Sequence, residues 1–292
     1  MKTTRSQGFF YQMKIINFIL YGNFFIAFCA YAQTAHTSHI LGYNNTHILS
    51  IFVASATFFL YNIHKPITYI LKKQLIDNQR FLKTKSFSTP LSIFTIFAGI
   101  VCFYLFFELN TKTQVSLILA AALSLTYVLP ILGGRRLRDF PFVKIFTIAF
   151  VWAFVTVILP VQEYGQFSIS PILPIFSEKI LFIFALTIPF DIRDVDWDTK
   201  TNVKTIPLSI GIQNAKKLGI LSLVGSIYIV FNLKNQDTYA SINATALLLT
   251  YLTSIFIIAI SRKDRSDYFF YGLTDGMLLL PSFLSYLLNL IV

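Results

Sequence analysis

Four carboxylates, Asp191, Asp194, Asp196 and Asp198, arrive together directly after the apolar run 180–190. On a continuous helix Asp191, Asp194 and Asp198 stand at i, i+3 and i+7. They then share one face, and Asp196 turns away from it. Like charges held this close repel one another, and a divalent cation between them relieves the repulsion. Mg2+ suits such a trio, because it takes oxygen ligands and keeps waters and substrate phosphates in its shell. The competing reading is a solvated helix end carrying an ordinary charge run. Against it, acids at or inside a membrane span are functional by default, since each needs a partner there.

The elements that must hold these acids are membrane helices. Of 292 residues, 55% are apolar and only 13% charged, about half the charge of a soluble domain. A spanning helix needs roughly 20 apolar residues, and about nine runs approach that length. They lie near 15–32, 48–62, 90–109, 115–132, 142–161, 172–190, 218–231, 244–260 and 268–291. The expected fold is therefore all-α: one polytopic bundle over 1–292, of about nine transmembrane helices around a central cavity open to the cytoplasmic side and the membrane. Lys2, Arg5 and Lys14 precede the first run without a convincing small-residue cleavage site, so that run reads as a permanent span.

A formal charge of +11 would suggest nucleic acid in a soluble protein. Here the basic residues lie between spans, and no aromatic-plus-basic surface module accompanies them, so nucleic-acid binding is excluded. With the N-terminus in the cytoplasm, alternation sends the basic loop 65–85, Arg135, Arg136, Arg138, Lys144, Arg193, Lys200 and Lys204 to that side. Only Lys112, Lys179 and Lys234 go to the outer side. This asymmetry fits the positive-inside rule. It describes an integral protein of a cytoplasmic membrane, of the bacterial inner-membrane kind. It also brings the Asn62 and Asp191 regions to one mouth of the bundle.

Other polar residues have plainer readings. Asn17 and Asn23 suit interhelical hydrogen bonds. His36 and His39 fall in an expected loop, 33–47, where no acid or cysteine completes a metal site. Cys29 and Cys102 read as small packing residues. Pro66 is expected to bend the chain at the membrane edge, and Pro189 to loosen the helix just before the acids.

Asp191, Asp194 and Asp198, followed by Lys204-Thr-Ile-Pro, resemble the second aspartate-rich motif of the UbiA prenyltransferase superfamily, D-x-x-D-x-x-x-D with a basic-Thr-aliphatic tail. Tyr127, Pro130 and the basic stretch 135–144 are similar to that family's Tyr-x-x-Pro and basic fourth loop. The span count matches as well, so the resemblance covers essentially the whole chain. One departure stands out. The family's first motif, N-x-x-x-D-x-x-x-D, keeps its Asn as Asn62, but its two acid positions are Pro66 and Ile70.

The resemblance implies Mg2+-dependent transfer of an isoprenoid group from a prenyl diphosphate to an aromatic or quinone-precursor acceptor, in contact with membrane lipid. Asp191, Asp194 and Asp198 would be both metal ligands and catalytic groups. Asn62, His64, Lys65, Arg193 and Lys204 would meet the diphosphate. For His64 and Lys65 the alternative is a positive-inside edge with snorkelling side chains. Tyr127 and Asp275 would line the cavity, or Asp275 would only pin helices together by a hydrogen bond. The missing acids leave a second reading open: a repurposed, non-catalytic member of the fold that binds an isoprenoid lipid or a membrane partner. A secondary transporter is disfavoured, since neither internal repeats nor midplane helix breaks are visible.

Overall fold

The computed structural model describes residues 14–71, 87–129, 136–165, 169–201 and 203–291. Among them the regular structure is entirely helical. In chain order the helices are α1 (Lys14–Tyr21), α2 (Phe24–Ile40), α3 (His47–Leu71), α4 (Ser88–Glu108), α5 (Thr111–Val128), α6 (Val143–Tyr164) and α7 (Ile169–Arg193). The short α8 (Val195–Lys200) and α9 (Ile206–Ile210) follow, then α10 (Ile212–Asn235), α11 (Ser241–Ile260) and α12 (Phe269–Ile291).

Neighbours in sequence are neighbours in space. Helix α2 packs on α3 and α3 on α4; α5 meets α6; α6, α7, α10, α11 and α12 follow one another, and α12 closes the ring against α2. Helix α7 is the most enclosed, with Phe182, Ala185, Ile188 and Ile192 fully buried. Helix α4 is the opposite case. Its Ile96 is 65% and its Phe103 70% exposed, beside Ile93, Phe97, Ile100 and Phe107. A row of that kind faces hydrocarbon, not water. The protein is an integral membrane protein.

Six helices, α4, α6, α7, α10, α11 and α12, are long and apolar enough to cross a membrane, and the α1–α2 pair, bent by 56°, makes a seventh if it is one span. The expected second and fourth spans correspond to α3 and α5, which do not reach that standard among the described residues. The bend between α1 and α2 sits at Gly22 and Asn23, and Asn23 takes a left-handed conformation with φ 66°. Asn is among the few side chains that adopt it readily. At the other end of the bundle Asn110 caps α5 through the Thr113 N–H at 2.9 Å and donates to the Gln162 carbonyl. That ties the α4–α5 turn to the end of α6.

Two local expectations are corrected, and two expected proline positions lie inside continuous helix. The loop expected at 33–47 is largely helix: α2 runs on to Ile40, burying His36 against Ser285 and leaving His39 exposed. Helix α3 continues through Pro66 to Leu71, and α7 continues through Pro174 and Pro189. Lys179, assigned to the outer face, is inside the bundle, where it donates to Gln33 Oε1 at 2.7 Å beside buried Glu178. Each chain segment is apolar enough to satisfy its backbone only as helix, and that outweighs one proline or histidine.

Candidate active site

The acid segment is built on a helix break. Helix α7 ends at Arg193, Asp194 leaves helical geometry with ψ 4°, and α8 starts at Val195. The break is slight. The Asp194 N–H still bonds the Phe190 carbonyl at 3.0 Å, and the Asp198 N–H bonds the Asp194 carbonyl at 2.8 Å. The i, i+3, i+7 spacing therefore survives. Asp191 and Asp198 are buried and Asp194 is half-buried. Asp196 points outward, where Lys263 lies at 3.2 Å.

Positive charge is supplied from α6. Lys144, in its first turn, donates to Asp191 Oδ1 at 2.7 Å, and Asp194 and Asp198 also act on it electrostatically. Asp198 has no such bond. Its Oδ2 is buried without a hydrogen-bond partner. Burial first, and then the charges of Asp194 and Asp191, push its carboxyl up to about 6, against the pull of Lys144 and Arg138. A buried carboxylate oxygen with nothing to bond is a place for a cation. Among the described residues no three His, Cys, Asp or Glu side chains are gathered as a metal site.

Arg193 behaves differently from the expected diphosphate donor. Its Nε and Nη2 donate to Asp194 Oδ1 and Oδ2 at 2.9 and 3.1 Å. Its guanidinium lies over the rings of Phe190, Phe270 and Tyr271 at 5.0, 5.1 and 5.3 Å. Phe270 and Tyr271 come from a π-helical turn, Phe269–Thr274, which rotates both toward α7. Arg193 thus orients Asp194 and pins α12 to α7. Arg193→Ala should lower unfolding stability by about 3 kcal/mol, because it strips a buried charge of its partner and empties an aromatic box. Thermal unfolding in detergent measures this, and a midpoint unchanged from wild type would remove the clamp.

Asn62 is also committed elsewhere. Its Nδ2 donates to the Gly22 and Phe58 carbonyls at 3.0 Å, and its Oδ1 accepts from Asn23 Nδ2 at 2.8 Å. It braces the α1–α2 bend. Asn62→Ala should cost about 2 kcal/mol, since the buried amide and carbonyl partners lose their bonds. Denaturant titration of the purified protein checks this. The side chains of His64 and Lys65 lie outside the described residues. The Lys204 side chain is exposed, and its carbonyl accepts the Phe142 N–H at 3.2 Å.

A cavity of about 480 Å³ opens between α2, α3, α4, α5 and α6. Its lining is apolar: Phe52, Ala56, Leu60, Leu117, Ala121 and Trp152 are typical. Tyr127, Tyr61 and Arg138 stand on its wall, with Arg138 5.4 Å from the Tyr127 ring. Arg138 also acts on Asp198 electrostatically. Of the two expected cavity residues, Tyr127 lines it and Asp275 does not. Asp275 stands within electrostatic range of Tyr61 and Arg193, and its carbonyl accepts from Cys29 Sγ at 3.5 Å. Reading the residues in order missed Lys144 and Arg138 as individuals. The available signal was a lysine in the first turn of a span, which must find a counter-charge.

The model of the UbiA prenyltransferase family matches residues 80–280. The chain belongs to this family. The match begins beyond positions 62–70, where the sequence departs from the first family motif. A UbiA homologue from Archaeoglobus fulgidus, solved bound to GPP and Mg2+, superposes with a TM-score of 0.65 at 12% identity, covering 93% of this chain and 99% of that one. The apo UbiA homologue from Aeropyrum pernix K1 gives 0.64 at 15%, covering 92% and 98%. A structure of digeranylgeranylglyceryl phosphate synthase gives 0.57 at 12%, covering 96% and 98%. At these identities the likeness carries the UbiA fold alone. A search of curated proteins gave no match.

Proposed function

We propose that this UbiA-family protein is a Mg2+-dependent prenyltransferase. It would move an isoprenoid group from a prenyl diphosphate to an aromatic or quinone-precursor acceptor, at the cytoplasmic face of a bacterial inner membrane. The observation that carries this reading is the junction of two unlike surfaces: an acid trio, two of its members buried and an Asp198 oxygen unbonded among the described residues, and an apolar cavity whose wall carries Arg138, which acts on Asp198. An amphiphile with an anionic head and a hydrocarbon tail fits that junction. The relatives solved with GPP or DMAPP and Mg2+ agree with it.

Asp191, Asp194 and Asp198 are the residues that would hold Mg2+, and the oxygen donor set suits that ion. Bound there, Mg2+ supplies positive charge to the departing diphosphate. The protein's own side chains do the rest. Arg193 fixes the direction of Asp194. The cavity buries the tail and excludes water from the allylic carbon. Tyr127, Tyr61 and Trp152 offer π faces to positive charge developing on that carbon.

The lost acids at 66 and 70 favour a second reading, a member of the family that binds an isoprenoid lipid without cleaving it. Purified protein in nanodiscs, given farnesyl diphosphate, separates the two. Diphosphate release that requires Mg2+ and stops with EDTA supports transfer. A lipid-filled cavity with no release at any Mg2+ concentration supports the second reading.

A further inference from the structure

The first family motif has lost both carboxylates, so one whole side of the site has no acid from Pro66 or Ile70. What remains is three carboxylates, of which two are already engaged. Asp191 is bonded by Lys144 and Asp194 by Arg193. Of the three, only Asp198 keeps a buried oxygen with no partner among the described residues. Among the described residues, such a site offers oxygens for one cation and no second acidic wall for another.

We propose that this protein takes the diphosphate with a single divalent cation, and that the Lys144 ammonium supplies the second positive charge by contacting the diphosphate itself. This rests on the prenyl-diphosphate reading above. Lys144 is suited by position. It rises from the first turn of α6, faces α7, and feels all three carboxylates at once. Its side chain is 14% exposed, against 3% for Asp191, so it stands on the open side of their pair. Within the described residues only one of the three N–H donors of its ammonium is bonded. The other two are available to phosphate oxygens. Arg193 is less suited, because its Nε and Nη2 are engaged by Asp194 and rings cover its guanidinium, which leaves only the buried Nη1 without a partner among the described residues. Lysine is also the right cation here, since its ammonium is a compact point charge that turns on a flexible stem.

The test uses full-length protein in detergent, with Mn2+ as the metal probe and inorganic pyrophosphate as the anion. The expected result for wild type is one Mn2+ per chain with pyrophosphate present, and an electron paramagnetic resonance spectrum without Mn–Mn coupling. Lys144→Met should keep that single Mn2+ and lose pyrophosphate affinity by about 10- to 100-fold. Lys144→Arg should recover most of it. Adding Pro66→Asp and Ile70→Asp should raise the count to two. Two coupled Mn2+ ions in wild type overturn the proposal and leave prenyl transfer standing, whatever the variants do. Pyrophosphate affinity unchanged in folded Lys144→Met also overturns it. A wild-type protein that binds neither Mn2+ nor pyrophosphate overturns both this proposal and the prenyl-diphosphate reading.

Discussion

Asp198→Asn will slow diphosphate release from a prenyl donor by about 10³-fold, and the same change will raise the unfolding temperature of the ligand-free protein by a few degrees. The two effects have opposite signs because the carboxylate is badly placed for folding and well placed for a cation. Its Oδ2 is buried with no hydrogen-bond partner, and Asp191 and Asp194 both repel it. An amide removes the charge and keeps the shape. Stability therefore rises, in the way that a site built for function gives up stability elsewhere. Without the charge, the cation loses a ligand and the leaving group loses its stabilisation. Release assays in nanodiscs and melting curves without Mg2+ read the two effects separately. Loss of activity together with a lower melting temperature would make Asp198 a structural residue and sink the assignment.

The parts of this protein legible in its sequence are those decided by local chemistry. Apolar runs became helices because hydrocarbon leaves the backbone no other way to bond. The backbone bond from the Asp198 N–H to the Asp194 carbonyl persists across the helix break, so the spacing of Asp191, Asp194 and Asp198 along the helix is kept. What stayed hidden were charges whose partners lie far away in the chain. Lys179 looks like a loop residue until Gln33 accepts its proton across the bundle. Arg193 reads along the chain only as a charge near the acids, whereas the π-turn of α12 also brings Phe270 and Tyr271 against it. Asn62 matches a family motif, yet its amide is shared between a bend in another helix and the Phe58 carbonyl of its own. No window along the chain contains these distant partners. One missing N–H is a small loss in a helix whose neighbours and apolar flanks hold it, so Pro66 and Pro189 did not end α3 and α7.

Ala121→Phe is expected to divide prenyl donors by length. Ala121 lines the cavity six residues before Tyr127 on α5, roughly 9 Å deeper at the helical rise. A phenyl ring there fills the space that the far end of a long tail would occupy and leaves the space beside Tyr127 open. Burial is worth about 0.8 kcal/mol per apolar carbon, so excluding one isoprene unit forfeits on the order of 4 kcal/mol, or about 10²- to 10³-fold. Farnesyl diphosphate should lose that factor in kcat/KM, while dimethylallyl diphosphate, whose tail never reaches position 121, should change by less than about threefold. The wall has flexible side chains such as Leu117 and Ile118, but a closely packed bundle yields only part of a ring's volume. The outcome that defeats this is an equal loss for both donors, which would mean that the ring disturbs the mouth or the fold and that the tail lies elsewhere. If the prediction holds, the cavity between α3, α5 and α6 is the ruler for donor length, and reducing Phe52 or Leu117 to alanine should extend the range in the other direction.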